Sequence, residues 1–164
     1  MDWYLVVKYI HVLAVTITIG GMFARQLVRS MAKNSDDVKT VASLTHVATR
    51  IDRTMVIPSS TLILPVGIVL SVMHGWPILG FLQGASQNWL LVSNLLLIGM
   101  LVLIPVVFIP HNKKVETILQ TAVAMGHVTP ELSTKLDDRK NKVAHHAEET
   151  IVLVIAALMV LKPF

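Results

Sequence analysis

The sequence predicts an all-α membrane protein: a four-helix transmembrane bundle, up-down-up-down, with cytoplasmic helical extensions. Three observations predict it. Hydrophobic residues make up 54% of the 164 and charged residues only 15%, too few charges to cover a soluble domain of this size. The apolar residues gather in four stretches, about 3–24, 55–74, 89–110 and 143–161. Each is near the ~20 residues that carry a helix across ~30 Å of hydrocarbon. Of the fourteen lysines and arginines, all but Lys8 and Lys162 fall between the first two stretches or between the last two. By the positive-inside rule those connections are cytoplasmic, and both termini lie on the outer side of the membrane.

The whole chain reads as one four-span domain. The first stretch is a retained span rather than a cleaved signal, because Asp2 and Lys8 interrupt it and no small-residue cleavage site follows. Gly20 and Gly21 within it allow close approach by a helix or a flat cofactor. The connection that follows is helical: Asp36 and Asp37 suit a helix start, and Val38, Val41, Leu44, Val47 and Ile51 recur at helical spacing. In the second span Pro58 and Pro65 predict a kink, with Ser59, Ser60 and Thr61 placed to occupy freed carbonyls.

The loop of residues 75–88 has no charge, and Trp3, Tyr4, Trp76, Trp89 and Phe164 gather at that interface as an aromatic belt. Pro105 and Pro110 predict a second kink near the inner end of the third span. Beyond it Val115, Ile118, Leu119, Ala122 and Val123 continue the helix to a stop at Gly126. Thr129, Pro130 and Glu131 then read as N-cap, first position and acidic first turn. The fourth helix should start there and run unbroken into the membrane.

Composition excludes several classes. The absence of cysteine removes disulfides, Cys-ligated zinc, iron–sulfur clusters and thiol chemistry. The net charge of +4 and pI near 9.6 follow from basic residues at a lipid surface, so no nucleic-acid partner is required. No phosphate loop, nucleophile elbow or zincin motif occurs.

Ionisable groups inside a span are costly and are functional candidates. Lys8 and His11 share a face of the first helix, with His11 roughly 12 Å in from its outer end. A buried imidazole there can ligate haem iron, with Lys8 near a propionate. The same spacing suits a hydrogen-bonded histidine beside a snorkelling lysine. His74, Met159 and Asn94 are the candidate neighbours or second ligands, and the sequence does not choose among them. At the inner side His111, His145, His146, Glu148 and Glu149 gather, with His46 further along the second helix. His145 and Glu149, at i and i+4, could bind a metal or relay protons. His111 with either paired histidine could hold a second haem, and a solvated interfacial cluster reads equally from the same residues. The paired Glu-x-x-His pattern of di-iron bundles is absent.

Asp2-Trp3-Tyr4, Lys8-Tyr9-Ile10-His11 and Gly20-Gly21 resemble the start of an uncharacterised bacterial family of predicted integral membrane proteins. The likeness continues through Arg50-Ile51-Asp52, Pro65-Val66-Gly67, Ile104-Pro105-Val106-Val107 and the ending Met159-Val160-Leu161-Lys162-Pro163. The early Lys-x-x-His followed by glycine also resembles the haem-b-dependent protoporphyrinogen oxidase and the copper-resistance D membrane families. The oxidase likeness implies that His11 ligates haem. That family also carries a functional lysine in a later span, and this chain has no lysine within its second, third or fourth span.

The leading expectation is therefore a haem b protein of the lipid bilayer with an electron-transfer or redox role. Its partners would be a quinone, another membrane redox protein or a second copy of the chain. The alternatives are a small transporter or metal-handling protein using the inner His/Glu cluster, and a cofactor-free structural subunit.

Overall fold

A computed structural model describes residues 2–163; Phe164, assigned above to the aromatic belt, lies outside them. Helix α1 (Trp3–Lys33), α2 (Val38–His74) and α3 (Trp89–Met125) are each long and apolar enough to cross a membrane. The fourth crossing is divided between α4 (Pro130–Leu136) and α5 (Arg139–Leu161). No strand occurs among the described residues. At 1.5 Å per residue the 31 residues of α1 span about 46 Å, so the helix outruns the hydrocarbon. The surplus of α1, α2 and α3 lies at the end where the basic residues collect, as the helical periodicity of the connections predicts.

Local chemistry sets the ends. The Asp37 carboxylate accepts from Lys39 N and Thr40 N, and Thr129 Oγ1 accepts from Leu132 N at 3.2 Å. Gly126 closes α3 with φ of 78°, a left-handed turn that costs glycine nothing. The expected unbroken fourth helix is corrected. The chain leaves helical geometry at Asp137 and Asp138, and Asp138 restarts it by accepting from Lys140 N at 2.9 Å. An aspartate competes well for a free N–H at a cap and poorly within a helix. Lys142 and Lys33 both pair with Asp137 and hold its carboxyl down to about 2.

The predicted kinks take a specific form. Pro58 and Pro110 have no N–H, so neither can donate to the carbonyl four residues back. In each case the turn before widens to a π-turn, Asp52–Val56 and Ile104–Phe108, with Ile57 N reaching Asp52 O and Ile109 N reaching Ile104 O. The hydroxyls bond the carbonyls of their own turns rather than those the prolines free: Ser59 donates to Met55 O at 2.5 Å, and Thr61 donates to Ile57 O at 2.7 Å.

Two antiparallel hairpins result. In the first, α1 lays Ala14, Thr18, Gly21, Met22 and Arg25 along α2. A Cβ on Gly21 would stand 2.9 Å from Val56 Cγ2, so glycine is what lets α1 seat against the π-turn. Gly20 faces open space instead. The second hairpin pairs α3 with α5. The hairpins are joined chiefly at the basic end. There Val38 and Val41 of α2 pack with Leu119 and Ala122 of α3 and Leu132 of α4. Large apolar side chains such as Leu5, Phe23, Val72, Leu95 and Leu153 point outward along the spans, where lipid satisfies them.

Candidate functional site

The sequence candidates do not form one site. They divide between two places about two-thirds of a membrane thickness apart along α1.

The first is at the basic end, where α1, the π-turn of α2 and the start of α5 converge. Arg25 is 3% exposed, His145 2% and Glu148 3%. The Arg25 guanidinium donates from Nη1 to Asp52 Oδ1 at 2.8 Å and from Nη2 to Glu148 Oε2 at 2.7 Å. Arg29 donates to Asp52 Oδ2 at 3.1 Å and to His145 Nε2. Because a guanidinium only donates, His145 Nε2 must carry the lone pair. Nδ1 then holds the proton and donates it to Glu148 Oε2 at 3.1 Å, the nearer of its two neighbours; Arg25 Nη2, 3.4 Å away, does not donate to it in this tautomer. The Phe108 ring lies flat on the imidazole, 4.5 Å between centroids at 5°. With two guanidiniums, two carboxylates and a neutral imidazole, the cluster carries no net charge.

Sequence reasoning missed most of this cluster. Arg25 and Arg29 read as markers of a cytoplasmic loop, yet both belong to α1, and Arg25 is wholly enclosed. A signal was present: His11, Thr18, Arg25 and Arg29 recur at seven- and four-residue spacing on one helical face. The expected His145–Glu149 pairing is corrected to His145–Glu148 and His146–Glu149, both at i and i+3. His146 is exposed, 3.4 Å from Glu149 Oε2. His111 lies beside Asp138 at 3.7 Å and does not meet the His145 ring. Among the described residues no three His, Cys, Asp or Glu side chains stand together as a metal-holding group.

The second place is nearer the aromatic end. The His11 ring rests on Gly67 of α2: a Cβ there would stand 3.1 Å from His11 Cε1 and 3.6 Å from Nδ1. Nδ1 is enclosed and lacks a formed hydrogen bond, with the backbone of Ile63 one turn away on the same side. Lys8, a turn outward, is exposed, its Nζ 6.0 Å from the Tyr4 ring centroid. His74 is occupied elsewhere. It stacks on Tyr4 at 5.5 Å and lies 4.2 Å from Trp76, two turns of α1 beyond His11. Trp76 meets the buried Trp89 edge-on, and Lys162 sits 3.9 Å over Trp76. Asn94 and Met159 are half-buried on α3 and α5, and among the described residues neither is hydrogen-bonded to His11.

Four long apolar helices with lipid-facing side chains define a multi-pass integral membrane protein. The chain belongs to the family described as "Predicted integral membrane protein (DUF2269)", which it matches over residues 5–163. No curated protein and no solved structure matches it.

Proposed function

We propose that this chain binds b-type haem and serves electron transfer or related redox chemistry in the membrane, with His11 as an axial ligand. The observation that carries this reading is the His11 imidazole, set deep in an apolar helix with Nδ1 enclosed against α2. Ligating histidines are oriented through the nitrogen that does not bind the metal. Here α2 fixes that side of the ring and leaves the opposite edge for a ligand. The exposed Lys8 suits a propionate one turn outward. The likeness of Lys8 and His11 to the first-span motif of the haem-b oxidase family adds support.

Bound haem would supply one-electron chemistry at its iron, tuned by ligand and burial. This chain's residues would hold and orient it. His74 is engaged in the aromatic stack, so Met159, Asn94, a second copy or an open position would complete the coordination. On this reading the basic end faces the cytoplasm of a bacterial cell, and electrons pass to a quinone or another membrane redox protein.

The test is the absorption spectrum of the detergent-purified protein, oxidised and dithionite-reduced, beside His11→Ala. A sharp reduced α-band in the wild type that disappears in the variant is the expected result. A colourless wild type after expression with added haem would overturn the proposal. One observation favours a second class, a small transporter: an arginine and a glutamate are buried where the hairpins meet, with Arg29 and Asp52 half-buried beside them. That reading expects solute flux in reconstituted vesicles that Glu148→Gln abolishes.

A further inference from the structure

The helix break at Asp137 and Asp138 creates an open groove that none of the preceding chemistry uses. It has a volume of about 870 Å³ and lies between α3 and the start of α5, lined by Lys114, Lys135, Asp138, Arg139, Lys140 and Val143. A second depression on the α4 side shares Lys135, Asp138 and Arg139 with it. Lys135 is neutralised by Asp138 at 2.6 Å. Lys114, Arg139 and Lys140 are exposed and form no ion pair among the described residues. Three uncompensated cations thus converge on one concavity. The N-terminus of the 23-residue α5 is already capped by the Asp138 carboxylate, so the attraction for an anion rests on these three side chains.

The groove's depth indicates which anion. Val143, 60% exposed, forms part of its wall and is the first residue of the apolar stretch. Lys140 lies three residues earlier, roughly 4.5 Å along the axis. Cations therefore stand beside the first apolar residue of the span, with the exposed His146 on the next turn of the same helix. We propose that this groove binds the phosphate headgroup of an anionic glycerophospholipid, with the acyl chains running down past Val143. A lipid phosphate meets both surfaces at once, whereas a free phosphate meets only the cations. Basic pockets beside membrane helices recognise anionic headgroups by this combination.

The experiment is native mass spectrometry of the full chain in detergent, titrated with phosphatidylglycerol or phosphatidylcholine. The variants are Lys114→Gln/Arg139→Gln/Lys140→Gln, the single Arg139→Gln, and the control Lys39→Gln/Lys113→Gln outside the groove. The wild type and control should retain phosphatidylglycerol in preference to phosphatidylcholine. The triple variant should lose roughly a hundredfold in affinity for it at low salt, and the single variant an intermediate amount. The substituted residues are exposed, and circular dichroism checks that helix content is unchanged. Equal retention of the two lipids by the wild type, or a triple variant that binds like the control, would overturn the proposal. So would complete displacement of the lipid by millimolar inorganic phosphate, which would assign the groove to a free anion.

Discussion

The two ends of this bundle are held together by different physics. At the basic end, α1, α2 and α5 share a buried network in which one guanidinium serves two carboxylates. Beside it Val41, Ala122 and Leu132 are fully enclosed in an apolar cluster. At the aromatic end the hairpins meet through ring stacking and a lysine laid over Trp76. The first region is specified in detail, since both terminal nitrogens of Arg25 have placed carboxylate acceptors. The second is closed by contacts that tolerate sliding, which suits the half of the molecule assigned a ligand. Directional bonds fix the first end, and non-directional ring packing closes the second.

This contrast makes graded predictions. Arg25→Met leaves Glu148 buried without its cation, while Asp52 keeps Arg29, and should cost about 3–5 kcal/mol. The loss would be read as a lowered unfolding midpoint in detergent. Adding Asp52→Asn and Glu148→Gln should recover part of it, because coupled charges are not additive. Leu132→Ala opens a cavity in the apolar cluster and should cost about 2–4 kcal/mol by the same measurement. Lys162→Gln removes only a cation over a half-buried ring and should cost about 0.5–1 kcal/mol. If Lys162→Gln proved as damaging as Arg25→Met, the two ends would be equally rigid and the contrast would fail.

Much of the fold was legible because membranes impose simple rules. Length, apolarity and the placement of lysine and arginine locate the spans. Gly126, Thr129 and Asp37 announce their caps by residue type. The candidate site was less legible. Arg25 has the composition of a loop marker and the environment of a core residue, and only contact with Asp52 and Glu148 distinguishes them. The His145 pairing was misjudged by one residue, because i+3 and i+4 are both neighbours on a helix and the choice falls to the arginines opposite. His11 stood out by its depth in the span and by its spacing from Lys8. Its seat on Gly67 depends on a second helix whose register a sequence does not display.

That register has its own history in α2. A π-turn holds one residue more than the α-helix around it, so the segment after Val56 is rotated by about 100° relative to the segment before Asp52. A single helical wheel drawn through Val38–His74 is therefore wrong for one half or the other. The phase slip lets Asp52 turn toward the arginines of α1 while Ser59 meets Thr18 at 2.7 Å. Removing one residue from the Asp52–Val56 segment would restore an unbroken spiral. It would also put the outer half of the helix out of step with every neighbour it now touches.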